Sequence, residues 1–206
     1  MFITFEGLDY SGKSTQVQLL SDRLSRQDHH VLVLREPGGT DIGEKIRKML
    51  LDKSNSGMTE ASELFLFSAS RSQLVQEVVR PALESGMVVI SDRYYDSTTA
   101  YQGFGRRIDL EVIAAINRYA TGGLCPDLSF FLDVPLRAVE KRMALAKSNK
   151  DRIESSSIEF YERVREGYLS IAKNEPRYRI LDGLQPIDDI HDLIWGHVSD
   201  ALAVEK

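Results

Sequence analysis

The sequence holds little of several things that would otherwise direct its chemistry. It has one cysteine in 206 residues, Cys125, so no internal disulfide can form. Cys125 lies in Leu124-Cys125-Pro126-Asp127, and the four histidines sit in unrelated contexts, so it reads as a structural thiol rather than a nucleophile. There is no basic excess: 26 Lys and Arg stand against 31 Asp and Glu, a formal net charge of -5. That balance argues against a binder of polymeric nucleic acid or of a membrane surface, though not against a small anionic ligand. No apolar stretch approaches the roughly 18 residues of a membrane span. The start, Met1-Phe2-Ile3-Thr4-Phe5-Glu6, lacks the basic opening and the apolar run of about 7–15 residues of a signal peptide. These absences predict a soluble protein of a reducing compartment, the cytoplasm. No internal repeat and no Pro/Gly-rich linker divides the chain. With 42% hydrophobic residues, intrinsic disorder is excluded.

What is present is an alternation of short apolar runs with amphipathic stretches. Strands are predicted at 2–6, 31–34, 87–91, 128–133 and 179–181. Helices are predicted at 14–26, 42–51, 59–84, 110–120, 136–147, 157–173 and 187–204. Strands this short and apolar suit a sheet covered on both faces. Their alternation with helices predicts an α/β fold with a central parallel sheet of five strands and right-handed crossovers.

Gly7-Leu8-Asp9-Tyr10-Ser11-Gly12-Lys13-Ser14 fits the phosphate-binding P-loop pattern and falls between a predicted strand and a predicted helix. Its glycines let backbone N–H groups turn inward around phosphate oxygens. The helix that follows, entered through Ser14 and Thr15, presents its positive end. Lys13 is placed to reach the β and γ phosphates and the Ser14 hydroxyl to ligate Mg²⁺. A purine nucleoside triphosphate with Mg²⁺ is the expected ligand, with Gly7 through Thr15 as its cradle. A GTPase is excluded because Asn149-Lys150-Asp151-Arg152 has the wrong spacing for a base-reading motif and follows a helix.

Three further signals lie near strand ends, where α/β sheets place their ligands. Arg35-Glu36-Pro37-Gly38-Gly39-Thr40 follows the second strand, and Asp92-Arg93-Tyr94 closes the third. Leu66-Phe67-Ser68-Ala69-Ser70-Arg71 lies on the long predicted helix. An arginine at a strand end is by default a surface residue. Two of them beside a P-loop point to phosphate clamps.

With these segments, and with Ser97-Thr98-Thr99-Ala100-Tyr101-Gln102-Gly103, Pro126-Asp127-Leu128, Leu132-Asp133-Val134 and Asp151-Arg152-Ile153-Glu154, the chain resembles the thymidylate kinase family. The likeness covers almost the whole length. It implies a P-loop nucleoside monophosphate kinase-like fold in three layers, one domain over 1–206 with a short lid at about 143–153. It implies phosphorylation of dTMP to dTDP with Mg-ATP as donor, a step in dTTP synthesis, by a homodimer.

The same resemblance implies roles for residues. Arg93 bridges the acceptor phosphate and the transferring group, and Arg35 also holds the acceptor phosphate. Asp9 accepts from the 3′-hydroxyl, Phe67 stacks on thymine, and Arg71 donates to a thymine carbonyl. Ser97, Thr98 and Gln102 line the base edge, and Tyr101 occupies the place of a ribose 2′-hydroxyl. Asp92 supports Mg²⁺. Taken alone, Phe67 also reads as helix core and Asp9 as a cap of the loop.

Some members of the family carry an arginine in the P-loop, and others supply cations from the lid. Leu8, Asp9, Tyr10 and Ser11 include none, so the chain looks like the lid-cation type common in bacteria. The candidates are Arg142, Lys147, Lys150 and Arg152. Arg152 is expected to supply the transition-state cation and Arg142 to pack on adenine, with Gln185 in the purine-contacting turn Asp182-Gly183-Leu184-Gln185-Pro186. A kinase for another nucleotide or deoxynucleoside stays open as the nearest alternative. A P-loop regulator without transferase activity is the alternative of another class.

Overall fold

In the computed structural model, which describes residues 1–146 and 151–204, the apolar runs form the five strands expected. They are β1 (Phe2–Glu6), β2 (Val31–Arg35), β3 (Val88–Asp92), β4 (Leu128–Asp133) and β5 (Tyr178–Asp182). All pair in parallel, in the order β2-β3-β1-β4-β5. Parallel strands need crossovers, and these are supplied by α1 (Lys13–Ser25), α2 (Asp41–Leu51), α3 (Glu60–Leu74), α4 (Arg80–Glu84), α5 (Tyr95–Thr98), α6 (Leu110–Thr121), α7 (Leu136–Ala146) and α8 (Ile158–Asn174), while α9 (Ile187–Val204) follows the last strand.

The period-2 alternation of β1 sorts its side chains onto two faces. Ile3 and Phe5 join Val17, Leu20, Ile194 and Val198 in a core under α1 and α9. Phe2 packs on the other face with Leu74, Val79 and Tyr94. Phe131, Val164 and Tyr168 extend that face beneath α8. Thr4 and Glu6 share the parity of Phe2. Glu6 therefore enters the layer that carries α5 and α8, although it is a carboxylate.

Local signals start the helices where expected. Thr40, Thr59 and Ser157 each accept a backbone N–H from the first turn of α2, α3 and α8. Two departures have physical causes. The helix expected over 59–84 is interrupted by a π-helical turn, Val75–Val79, in which the Arg80 N–H bonds the Val75 carbonyl five residues back. Pro81 follows at once; it has no N–H to give to Glu77 and its ring crowds that carbonyl.

The second departure is a helical segment the sequence reading missed: α5 and the π-helical stretch Thr99–Gly105. Ser97-Thr98-Thr99, Gly103 and Gly105 have poor helix propensity. Packing overrides it, because a Cβ at Gly105 would stand 2.6 Å from the Phe160 ring on α8. Only a glycine lets these two elements approach so closely.

Candidate active site

The carboxyl ends of β1, β2 and β3 come together: Phe5 and Arg35 each pair in register with Asp92. Beyond them lies a cleft of about 590 Å³, a volume suited to small-molecule ligands. Most of the residues singled out from sequence line it. They are Asp9, Tyr10, Gly12, Lys13, Ser14, Thr15, Arg35, Phe67, Asp92, Arg93, Ser97, Thr98, Tyr101, Gln102 and Arg142. Residues as far apart in the chain as Asp9 and Arg142 thus line one concavity.

The P-loop takes its shape from glycine. Gly7 has φ +138°, and a Cβ there would meet the Leu132 carbonyl oxygen of β4 at 2.8 Å. Leu8 is buried beside it, and the Ser11 hydroxyl is buried without a hydrogen-bond partner in the protein. Lys13, at the start of α1, donates from Nζ to the Leu8 carbonyl at 2.8 Å and to that of Gly7 at 3.2 Å. Burial, and then the neighbouring Arg93 charge, bring its pKa down to about 8. The Ser14 hydroxyl donates to Asp92 Oδ2 at 2.6 Å. These two hard oxygens suit Mg²⁺, which in nucleotide sites takes one or two protein ligands together with phosphate oxygens and water. Among the described residues there is no cluster of three or more His, Cys, Asp or Glu able to hold a metal by itself.

Arg93 is the most heavily constrained side chain in the cleft. Its φ of 75° is left-handed, a conformation that costs a non-glycine residue on the order of 1–3 kcal/mol. Its Nη2 donates to Asp9 Oδ1 at 2.6 Å and to the Tyr101 hydroxyl at 3.3 Å. Its Nη1 donates to the Gly7 carbonyl, the Ser97 hydroxyl and the Tyr168 hydroxyl. Burial works against the guanidinium charge, but Asp9 together with Tyr101, Tyr168 and Asp92 outweighs it, and the pKa stands well above that of an ordinary arginine. Burial likewise pushes Asp9 up, and Arg93 and then Lys13 outweigh it, leaving Asp9 below the usual carboxylate value.

On the acceptor side, Arg35 is half exposed and pairs with Glu44 at 3.2 Å. Thr98 and Gln102 face the cleft but are already engaged: the Thr98 hydroxyl accepts from Arg71, and Gln102 donates to Glu63 at 2.8 Å. Phe67 is half-buried and lines the cleft.

Besides Gly7, Leu8 and Ser11 of the P-loop, three expected residues stand apart from the lining. Arg71 is 1% exposed and lies behind it, paired with Glu36 at 2.7 Å and donating to Thr98, Asn117 and the Tyr94 carbonyl. These bonds leave one Nη2 hydrogen. Gln185 is exposed in the turn after β5. Arg152 is not among the residues lining the cleft. Its Nε donates to the Leu50 carbonyl at 2.8 Å, and its Nη2 pairs with the buried Glu63 at 2.7 Å. Asp151, Ile153 and Glu154, its neighbours, do face the cleft. Lys147 and Lys150 lie outside the described residues.

Arg142 lines the cleft. It donates to the Tyr10, Ser11 and Gly183 carbonyls, so it joins α7 to the P-loop and to the turn after β5. Sequence reading missed Arg47, which lines the cleft and donates to the Pro37 carbonyl at 2.9 Å. Its position one turn after Glu44, the partner of Arg35, was the available signal. It also missed Glu6, because a carboxylate ending a strand carries no signature of burial.

Comparison with known proteins finds likeness over almost the whole chain. The family model described as thymidylate kinase matches residues 5–194. The thymidylate kinase of Chlorobium luteolum is 49% identical over 94% of this chain and 94% of its own length. That of Chlorobaculum tepidum is 48% identical over 100% of this chain and 99% of its own. The crystal structure of thymidylate kinase from Ehrlichia chaffeensis is similar with a TM-score of 0.79, at 35% identity, covering 97% of this chain and 98% of that one.

Proposed function

The chain belongs to the thymidylate kinase family, and we propose how its residues divide the work of moving a phosphoryl group from ATP to dTMP. The reaction makes dTDP and ADP. An oxygen of the acceptor phosphate forms a bond to the γ phosphorus, and the bond from that phosphorus to the β–γ bridging oxygen breaks. The acceptor phosphate needs little help to lose a proton near neutral pH, so positioning and charge neutralisation are the protein's task.

The observation that carries the assignment is the Arg93–Asp9 pair at 2.6 Å, which holds a cation against the P-loop at the centre of the cleft. From there Arg93 reaches both the acceptor phosphate and the transferring group. Lys13 leaves the loop carbonyls to bind the β and γ phosphates, which the inward N–H groups of Gly7 to Thr15 also cradle. Arg35 holds the acceptor phosphate, with Arg47 beside it. Ser14 and Asp92 would hold Mg²⁺, which when bound neutralises charge on the donor phosphates. Phe67 stacks on thymine, and Arg71 offers its remaining Nη2 hydrogen to a base carbonyl. Ser97, Thr98 and Gln102 line the base edge. Tyr101 fills the space of a 2′-hydroxyl while Asp9 accepts from the 3′-hydroxyl.

Arg142, tied to the P-loop and to the Gly183 turn, flanks the adenine together with Gln185. Its position, with no arginine at Leu8–Ser11, supports the type that draws a cation from the lid side. Arg152 then serves by fixing the segment after α7, since its guanidinium is committed to Glu63. We read the chain as one domain, with the lid at about 143–153. We also propose a cytoplasmic homodimer joined through α3 and α6, where Phe65 is 60% and Tyr119 91% exposed. No helix of the described residues is long and apolar enough to cross a membrane.

A coupled ADP-release assay over a panel of nucleoside monophosphates tests the function. Turnover is expected with dTMP far above the others. Turnover confined to dCMP or UMP would move the assignment to another nucleotide kinase.

A further inference from the structure

Glu6 is fully buried at the end of β1, immediately before the phosphate loop. A buried carboxylate is expensive unless its oxygens are satisfied, and these are. Oε1 accepts the Tyr94 N–H at 2.7 Å. Oε2 accepts the Ser97 hydroxyl at 2.6 Å and the Tyr168 hydroxyl at 3.0 Å. All three donors touch Arg93. Tyr94 is the residue after it in the chain. Ser97 and Tyr168 each accept from Arg93 Nη1 at 3.2 Å.

The arrangement addresses two problems that Arg93 has. Its left-handed backbone needs an outside constraint. Phe5 of β1 accepts the Arg93 N–H at 2.9 Å, Glu6 accepts the next N–H, and the Ser91 hydroxyl donates to the Arg93 carbonyl at 2.7 Å. The backbone is thus held on both sides by sheet residues. Its guanidinium also needs a fixed direction, since Nη1 and Nη2 must aim at different groups. Ser97 and Tyr168 are hydroxyls able to rotate, and their hydrogens are drawn to Glu6, which turns their lone pairs toward Nη1.

From this we infer that Glu6 is a positioning residue for Arg93, holding its backbone through Tyr94 and its guanidinium through Ser97 and Tyr168. It touches no substrate; its effect passes through Arg93. The inference rests on the assignment of Arg93 to the phosphates. Glu6 belongs to a charged neighbourhood: burial and then Asp96 from α5 raise its pKa, and Arg93 and Lys13 are opposite charges. Tyr168 of α8 and Tyr178 of β5 also face it. Asp96 is itself bound to Arg177 at 2.8 and 2.9 Å.

The test is a double-mutant cycle on dTMP affinity and kcat/KM, with Glu6→Gln, Arg93→Met and the double variant. Glu6→Gln keeps the shape and an acceptor for Tyr94 but loses the charge. It is expected to lower kcat/KM by about 10²-fold, the size of a misplaced reacting group. On the Arg93→Met background the same change is expected to cost less than about twofold, because its target is gone. Equal losses on both backgrounds would overturn the inference. Wild-type affinity in Arg93→Met alone would instead overturn the assignment of Arg93. A second readout is the pH profile: the wild type should show an acid limb near pH 7 that Glu6→Gln lacks, dTMP's own titration being common to both. Parallel profiles count against the proposal. If Glu6→Gln does not fold, Tyr168→Phe, which removes one of the two hydroxyl links from a residue outside the cleft lining, carries the cycle.

Discussion

Asp9 Oδ1 accepts a hydrogen bond from Arg93 Nη2 at 2.6 Å, tying the loop after β1 to the turn after β3. The pair is partly buried and charge-assisted, the geometry in which a hydrogen bond counts for most. Asp9→Asn keeps the size and removes the charge. At about 1.5–3 kcal/mol for such a bond, kcat/KM for dTMP should fall by roughly 10- to 100-fold. Since Arg93 and Lys13 keep Asp9 ionised below the ordinary carboxylate range, that loss should be the same at pH 6 and pH 8. A loss that vanishes at either pH would contradict it. Steady-state kinetics at the two values decide.

Lys13 and Arg152 should separate cleanly. Lys13→Met removes a cation from the P-loop and is expected to lower kcat by about 10²–10³, the range for one lost charge-stabilising donor. Unfolding should stay cooperative. Arg152→Met should lower kcat by less than about tenfold, because its partners are Glu63 and the Leu50 carbonyl rather than the cleft. Its readout is faster hydrogen exchange at the Arg152 amide, which bonds the Leu51 carbonyl. A kcat loss matching that of Lys13→Met would restore Arg152 to the transition state.

The Arg71–Glu36 pair is 1% and 3% exposed. Burial pushes the Glu36 carboxyl up, against the pull of Arg71. Removing one member strands the other, so Glu36→Ala should destabilise the fold by about 3–5 kcal/mol. Glu36→Ala with Arg71→Met should recover part of that. Chemical denaturation of the three variants measures both; a double variant no more stable than the single would contradict the account.

Burial, and then Asp96, raise the Glu6 pKa from the usual 4.5 to about 7. The folded state then holds a proton that the unfolded chain releases between these values. The contribution is fully present below about pH 4.5 and lost as pH rises through 7. Glu6→Gln cannot titrate, so its stability relative to wild type should improve from pH 5 to pH 8. Urea denaturation at both pH values checks the sign, and a constant difference would refute it. Stability gained where catalysis is lost would also set Glu6 apart from ordinary core residues.

Much of this was legible along the chain. The P-loop, the strand-end arginines and the strands are local patterns, and short-range chemistry enforces them. The helix over 95–105 was not, since Ser97, Thr98, Thr99 and two glycines disfavour it and only packing on α8 compels it. The Arg152–Glu63 pair was not legible for a related reason: Glu63 on α3 is distant from Arg152 in sequence, and no local pattern links them.

The sequence by itself determined the phosphate loop, the alternation of strands and helices and most of the side chains that line the cleft, because spacing within a strand, a turn or a helix is dictated by backbone geometry. Only the tertiary structure decided which charges meet. Arg93 falls to Asp9 and, through Ser97 and Tyr168, to Glu6, while Arg152 falls to Glu63. Those pairings join residues brought together by the sheet and its crossovers. In a buried site a few ångströms separate a stabilised charge from a stranded one, and that distance is a property of the fold.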